Sequence, residues 1–124
     1  PNMGFVYQRK GVILLFRLRR IEESVNALER AVALESRDRV AHVYLGLALI
    51  EAKRWSEAAE RMELALSLDP ESRDAMIGLV IANTELQRFD RAEAALRDIE
   101  RLAPGSPQIP RLRDRLEQKR VEVR

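Results

Sequence analysis

The sequence predicts an all-α fold, a solenoid of three helix–turn–helix repeats closed by a seventh, capping helix. Three observations predict it. Apolar residues recur at spacings of three and four, the period of a helix. Glycine and proline number only five each and gather at a few points, which leaves long stretches free of breakers. Aligned with itself, the chain repeats every 34 residues: "VAHVYLGLALIEAKRWSEAAERMELALSLDP" at 40–70 has its counterpart in "DAMIGLVIANTELQRFDRAEAALRDIERLAP" at 74–104.

The first repeat spans 5–38 and matches the others least, with Leu14, Ile21, Ser24, Leu28 and Ala31 in equivalent places. It holds "GVILLFRLRR" at 11–20, whose five unbroken apolar residues Val12 to Phe16 are far too few to cross a bilayer, which takes ~20. The run predicts a first helix covered on two sides: Val12, Leu14, Leu15 and Leu18 against neighbouring helices, Ile13 and Phe16 on a separate face. The second repeat, 39–72, and the third, 73–106, align through Leu45/Leu79, Ala48/Ala82, Trp55/Phe89, Ala58/Ala92 and Pro70/Pro104. Ser56 is the expected cap of the helix that follows it, and Asp90 with Glu93 reads as an acidic capping box for the corresponding helix of the third repeat. "PGSP" at 104–107 ends that repeat, and Ser106 with Pro107 starts the capping helix, 107–120. Pro110 falls in its first turn, where a missing N–H does no harm. Leu112 and Leu116 form its narrow apolar stripe, and residues 121–124 are expected to be a disordered tail.

A 34-residue helix–turn–helix unit resembles the tetratricopeptide repeat, W-x2-L-G-x2-Y, then A-x3-F, then P. Counting from Arg39, the second repeat has His42, Leu45, Gly46 and Leu49, then Ala58, Met62, Ala65 and Pro70. Counting from Arg73, the third has Met76, Leu79, Val80 and Asn83, then Ala92, Leu96, Ile99 and Pro104, departing at Val80 and Asn83. The first, from Phe5, has Gln8, Gly11, Val12 and Leu15, then Ser24, Leu28, Ala31 and Ser36. Gly11 stands where the family usually has leucine, so this end is expected either to pack loosely or to be completed by something outside the repeats. The resemblance implies a right-handed superhelix in which the first helix of each repeat lines a concave groove.

Carrying the family's groove positions over gives Val6, Arg9, Ile13, Phe16 and Arg17 from the first repeat. The second gives Val40, Val43, Leu47, Ile50 and Glu51, and the third Asp74, Ile77, Ile81, Thr84 and Glu85. Nine of the fifteen are aliphatic or phenylalanine, and charge is expected to grade from Arg9 and Arg17 at one end to Asp74 and Glu85 at the other. One subgroup of the family clamps acidic tails of heat-shock chaperones with lysine, arginine and asparagine. The matching positions here are Arg9, Ile13, Tyr44, Asp74 and Gly78, of which only Arg9 suits a carboxylate. An apolar groove wants covering. The expected occupant is an apolar helix or peptide segment of another protein, as in the bacterial type III secretion chaperones that the groove resembles, or in assembly factors. The alternatives are a further part of a longer bacterial export or envelope-assembly protein, filling the groove intramolecularly, and a second copy forming a homodimer.

Catalysis, cofactors and metals are not expected. Cysteine is absent, and the single histidine, His42, occupies a position of large packing residues. No Gly-rich phosphate loop, nucleophile elbow or metal-ligand spacing occurs, so no small-molecule substrate is implied. Basic residues number 22 against 20 acidic. They concentrate at the ends: residues 1–20 carry five basic and no acidic residues, and residues 111–124 six basic and three acidic. RNA binding through these terminal helices is the third alternative. It lacks exposed aromatics for stacking, since Tyr7, Trp55 and Phe89 fall at packing positions. No membrane insertion and no signal peptide are expected; a bacterial cytoplasm fits, and a cysteine-free chain suits the periplasm equally.

Overall fold

In a computed structural model that describes residues 2–124, the chain forms seven helices and, among those residues, no strand. They are α1 (Met3–Phe16), α2 (Ile21–Leu34), α3 (Arg39–Glu51), α4 (Trp55–Leu68), α5 (Arg73–Glu85), α6 (Phe89–Leu102) and α7 (Gln108–Glu122). Connections of three to five residues force successive helices back along each other. Each pair α1–α2, α3–α4 and α5–α6 packs closely and leans on the next. α1, α3, α5 and α7 also pack in succession, which makes them an inner layer, whereas the backbones of α2, α4 and α6 stay apart from one another. α7 runs two residues into the segment where a disordered tail was expected, with Leu116 fully buried beneath it.

Small residues set the spacing of the layers. Ser24, Ala58 and Ala92, 34 apart, are fully buried where paired helices cross, and the Ser24 hydroxyl donates to the Gly11 carbonyl at 2.7 Å. A Cβ at Gly11 would lie 2.7 Å from Leu28 Cδ2, so α1 lies tightly on α2 and the expected loose end is absent. The missing leucine is replaced by Leu28 reaching across from the partner helix. Met62 does the same on a larger scale. Its thioether fills the hollow left by Gly46 of α3 and Gly78 of α5, joining the second repeat to the third.

Helix starts fall into two kinds. Inner helices take side-chain caps: Asn2 accepts from the Phe5 amide, Asp38 from Val40 and Ala41, and Ser72 from Ala75. Outer helices have none. They begin at Ile21, Trp55 and Phe89 after Arg20, Arg54 and Arg88, so neither Ser56 nor Asp90 is a cap. The reason lies in the preceding turn. Lys53 and Gln87 adopt left-handed φ of 61°, and Arg54 and Arg88 donate backwards to Leu49 and Asn83 at 2.8 Å. These are Schellman closures, which fix the chain direction before any side chain can cap. Arg19, φ 53°, holds the matching place in a turn one residue longer, and that extra length leaves Leu18 54% exposed instead of packed. Ser106 accepts from the Gln108 amide at 3.3 Å and starts α7, whose third residue is Pro110.

Candidate functional site

The inner face carries the sequence-predicted groove residues, one helical stripe per inner helix. Its apolar part is not uniform. Val6, Ile13, Phe16 and Val40 are open, at 48, 40, 53 and 42% exposure. Val43, Leu47, Ile50, Ile77 and Ile81 are half-buried against the core. Thr84 is fully buried and takes no part in the surface, unlike Phe16 and Ile50 at the same repeat position. Phe16 meets Tyr44 edge-on at a centroid distance of 6.2 Å, which ties the mouth of the groove across α1 and α3.

The charged members are arranged differently from the expected grade. Arg9 lies over the Phe5 ring at 5.8 Å, and Arg17 makes no ion pair among the described residues. Glu51 is held by Arg19 at 2.8 Å. Glu85 is held twice, by Arg115 at 2.9 Å and Lys119 at 3.2 Å, both from α7. Asp74 lines a cavity of about 330 Å³ with Arg73, Ile77, Ser106, Pro107 and Gln108 at the α5–α7 end. Glu85 is therefore paired by α7, whereas Asp74 makes no ion pair among the described residues.

α7 explains this. Gln108 shares a cavity with Asp74, and Arg115 and Lys119 reach Glu85, so the stripe Gln108, Arg111, Arg115 and Lys119 extends the inner face as its fourth wall. The repeat itself carried the signal: these positions lie 34 after Asp74, Ile77, Ile81 and Glu85. The other face of α7 is tied to α6. Arg113 pairs with Glu100 at 2.7 Å, and Arg120 pairs with Glu93 at 3.2 Å while lying over the Phe89 ring. Most of the basic tail is thus engaged within the fold, with Arg111 making no ion pair among the described residues.

His42 is 2% exposed, and its Nε2–H donates to the Ser36 carbonyl at 2.8 Å. Its Nδ1 has no partner and no carboxylate bonds the ring, the arrangement of a packed imidazole rather than an acid–base group. Arg54 holds the Glu57 carboxyl below the ordinary carboxylate range through a hydrogen bond at 2.7 Å, on the outer surface. No helix among the described residues is long and apolar enough to cross a membrane.

Two family models described as tetratricopeptide repeat match the sequence, over residues 49–116 and 10–70. No curated protein matches it. Solved structures do. The Arabidopsis OM64 TPR domain superposes with a TM-score of 0.87 at 22% identity, covering 95% of this chain and 98% of that one. The second TPR domain of human RPAP3, in complex with the HSP70 peptide SGPTIEEVD, gives 0.86 at 17% identity, covering 93% and 95%. YrrB, a TPR protein with an unusual peptide-binding site, gives 0.83 at 20% identity, covering 90% of this chain and 57% of its own. At such identities the likeness is one of fold.

Proposed function

This chain belongs to the tetratricopeptide repeat family, and from that premise we propose that it is a non-catalytic interaction module whose inner face captures an apolar peptide segment of another protein. One observation carries the reading: Val6, Ile13, Phe16 and Val40 lie open together on the inner face. Peptide binding by fold relatives supports it, as in human RPAP3 with its HSP70 peptide. The segment is not of the carboxylate-clamp type, because Ile13, Tyr44, Asp74 and Gly78 occupy the clamp positions. An adaptor, chaperone or assembly role suits such a module.

Peptides selected from a displayed library on the wild-type domain, then titrated by fluorescence, test this. Ile13→Asp with Phe16→Asp removes two open side chains worth about 1.5–3 kcal/mol each when covered. The expected loss is about a hundredfold or more, with unchanged helicity. Equal binding by the double variant refutes the reading. Light scattering on the free domain separates the remaining occupants: a dimer that dissociates in the double variant points to a second copy.

A further inference from the structure

The two ends of the inner face carry the same charge, and that restricts what can lie along it. At the α1 end stand Arg9 and Arg17, with no carboxylate on the α1 stripe. At the other end Arg73, Arg111, Arg115 and Lys119 outnumber Asp74, Glu85 and Glu122 by one. Between them the surface is aliphatic, and its one carboxylate, Glu51, is already held by Arg19. Resting on the groove reading above, we propose that the occupant is an extended segment of another protein with an apolar centre and acidic residues on both sides of it.

Electrostatic complementarity argues for both flanks. A cationic flank meets repulsion at either end, and a neutral one leaves Arg17 and Arg111 unpaired beside a covered apolar surface, where water is scarce and an unmatched charge costs most. Spacing sets the length. Three steps between adjacent inner helices, at about 8–10 Å each, separate α1 from α7 by roughly 24–30 Å. At about 3.3 Å per residue, an extended chain covers that with about seven to nine residues between its acidic groups.

Three synthetic peptides test this, sharing one eight-residue core of alternating aliphatic and small residues and flanked on both sides by Glu-Glu, Gln-Gln or Lys-Lys. Fluorescence anisotropy against the intact chain is expected to rank them Glu over Gln over Lys. The Glu–Gln gap should be about tenfold at low salt and should close near 1 M salt, where the screening length is about 3 Å. Arg17→Glu and Arg111→Glu each lower affinity for the Glu-flanked peptide about fivefold more than for the Gln-flanked one. Equal binding of the Glu- and Gln-flanked peptides, or no effect of either arginine variant, overturns the proposal. The groove reading then still stands if Ile13→Asp with Phe16→Asp abolishes binding of the Gln-flanked peptide. Absence of binding by all three overturns both.

Discussion

Replacing Gly78 by alanine should destabilise the native domain yet stabilise a variant that lacks Met62. Met62 is fully buried, and a Cβ placed on Gly78 would come within 2.8 Å of its Cγ and 2.9 Å of its Sδ. Removing the three heavy atoms beyond Cβ in Met62→Ala loses about 0.8 kcal/mol of transfer energy for each. With the cavity left between α3, α4 and α5, the total is about 3–4 kcal/mol. Gly78→Ala alone gains about 1 kcal/mol of helix propensity but forces the thioether aside, for a net loss of about 0.5–2 kcal/mol. In the Met62→Ala background the added methyl occupies vacated space, so only the gain remains. Urea unfolding of all four proteins, followed by circular dichroism, reads the cycle. The same loss from Gly78→Ala in both backgrounds would refute the idea that this thioether fills the glycine hollow and couples the second and third repeats.

The left-handed turns give a second expectation: Lys53→Gly and Gln87→Gly each raise stability by about 0.5–1 kcal/mol, since an L side chain there costs about 1–2 kcal/mol and glycine returns part of that as chain entropy. A fall in midpoint for both variants contradicts it. Leu116→Ala, at a fully buried site, should cost about 2–5 kcal/mol and release α7 before the rest. Hydrogen exchange checks this, and uniform exchange across all helices is the contrary result. The Glu57 carboxyl is lowered by its bond to Arg54, so its contribution is present above the unfolded-state carboxylate range and vanishes as pH falls through the folded value. Wild type and Glu57→Gln should therefore differ in stability at neutral pH and converge in acid, read as thermal midpoints against pH.

The helical period and the 34-residue repeat were legible because each follows from one-dimensional spacing in the sequence. The repeat aligns Ser24, Ala58 and Ala92, and all three are fully buried. What spacing could not give was direction. Lys53 and Gln87 carry no glycine signature, so the Schellman turns that displace Ser56 and Asp90 from their expected capping roles left no mark. The groove residues were named from the repeat, but the charge they present depends on partners beyond the three repeats. Glu85 reads as a free carboxylate until α7 folds back and brings Arg115 and Lys119 against it. The structure likewise shows how Gly11 is compensated, through a leucine 17 positions away on the adjoining helix.

Backbones here pack only against helices one or two places along the chain, and those of the outer helices stay apart. Mechanically this is a row of hinged plates. Each repeat can tilt about its inner contacts without disturbing those two steps away, so the ends know nothing of one another. A ligand lying from α1 to α7 would supply the one tie between them, acting as a bowstring that fixes the curvature of the row.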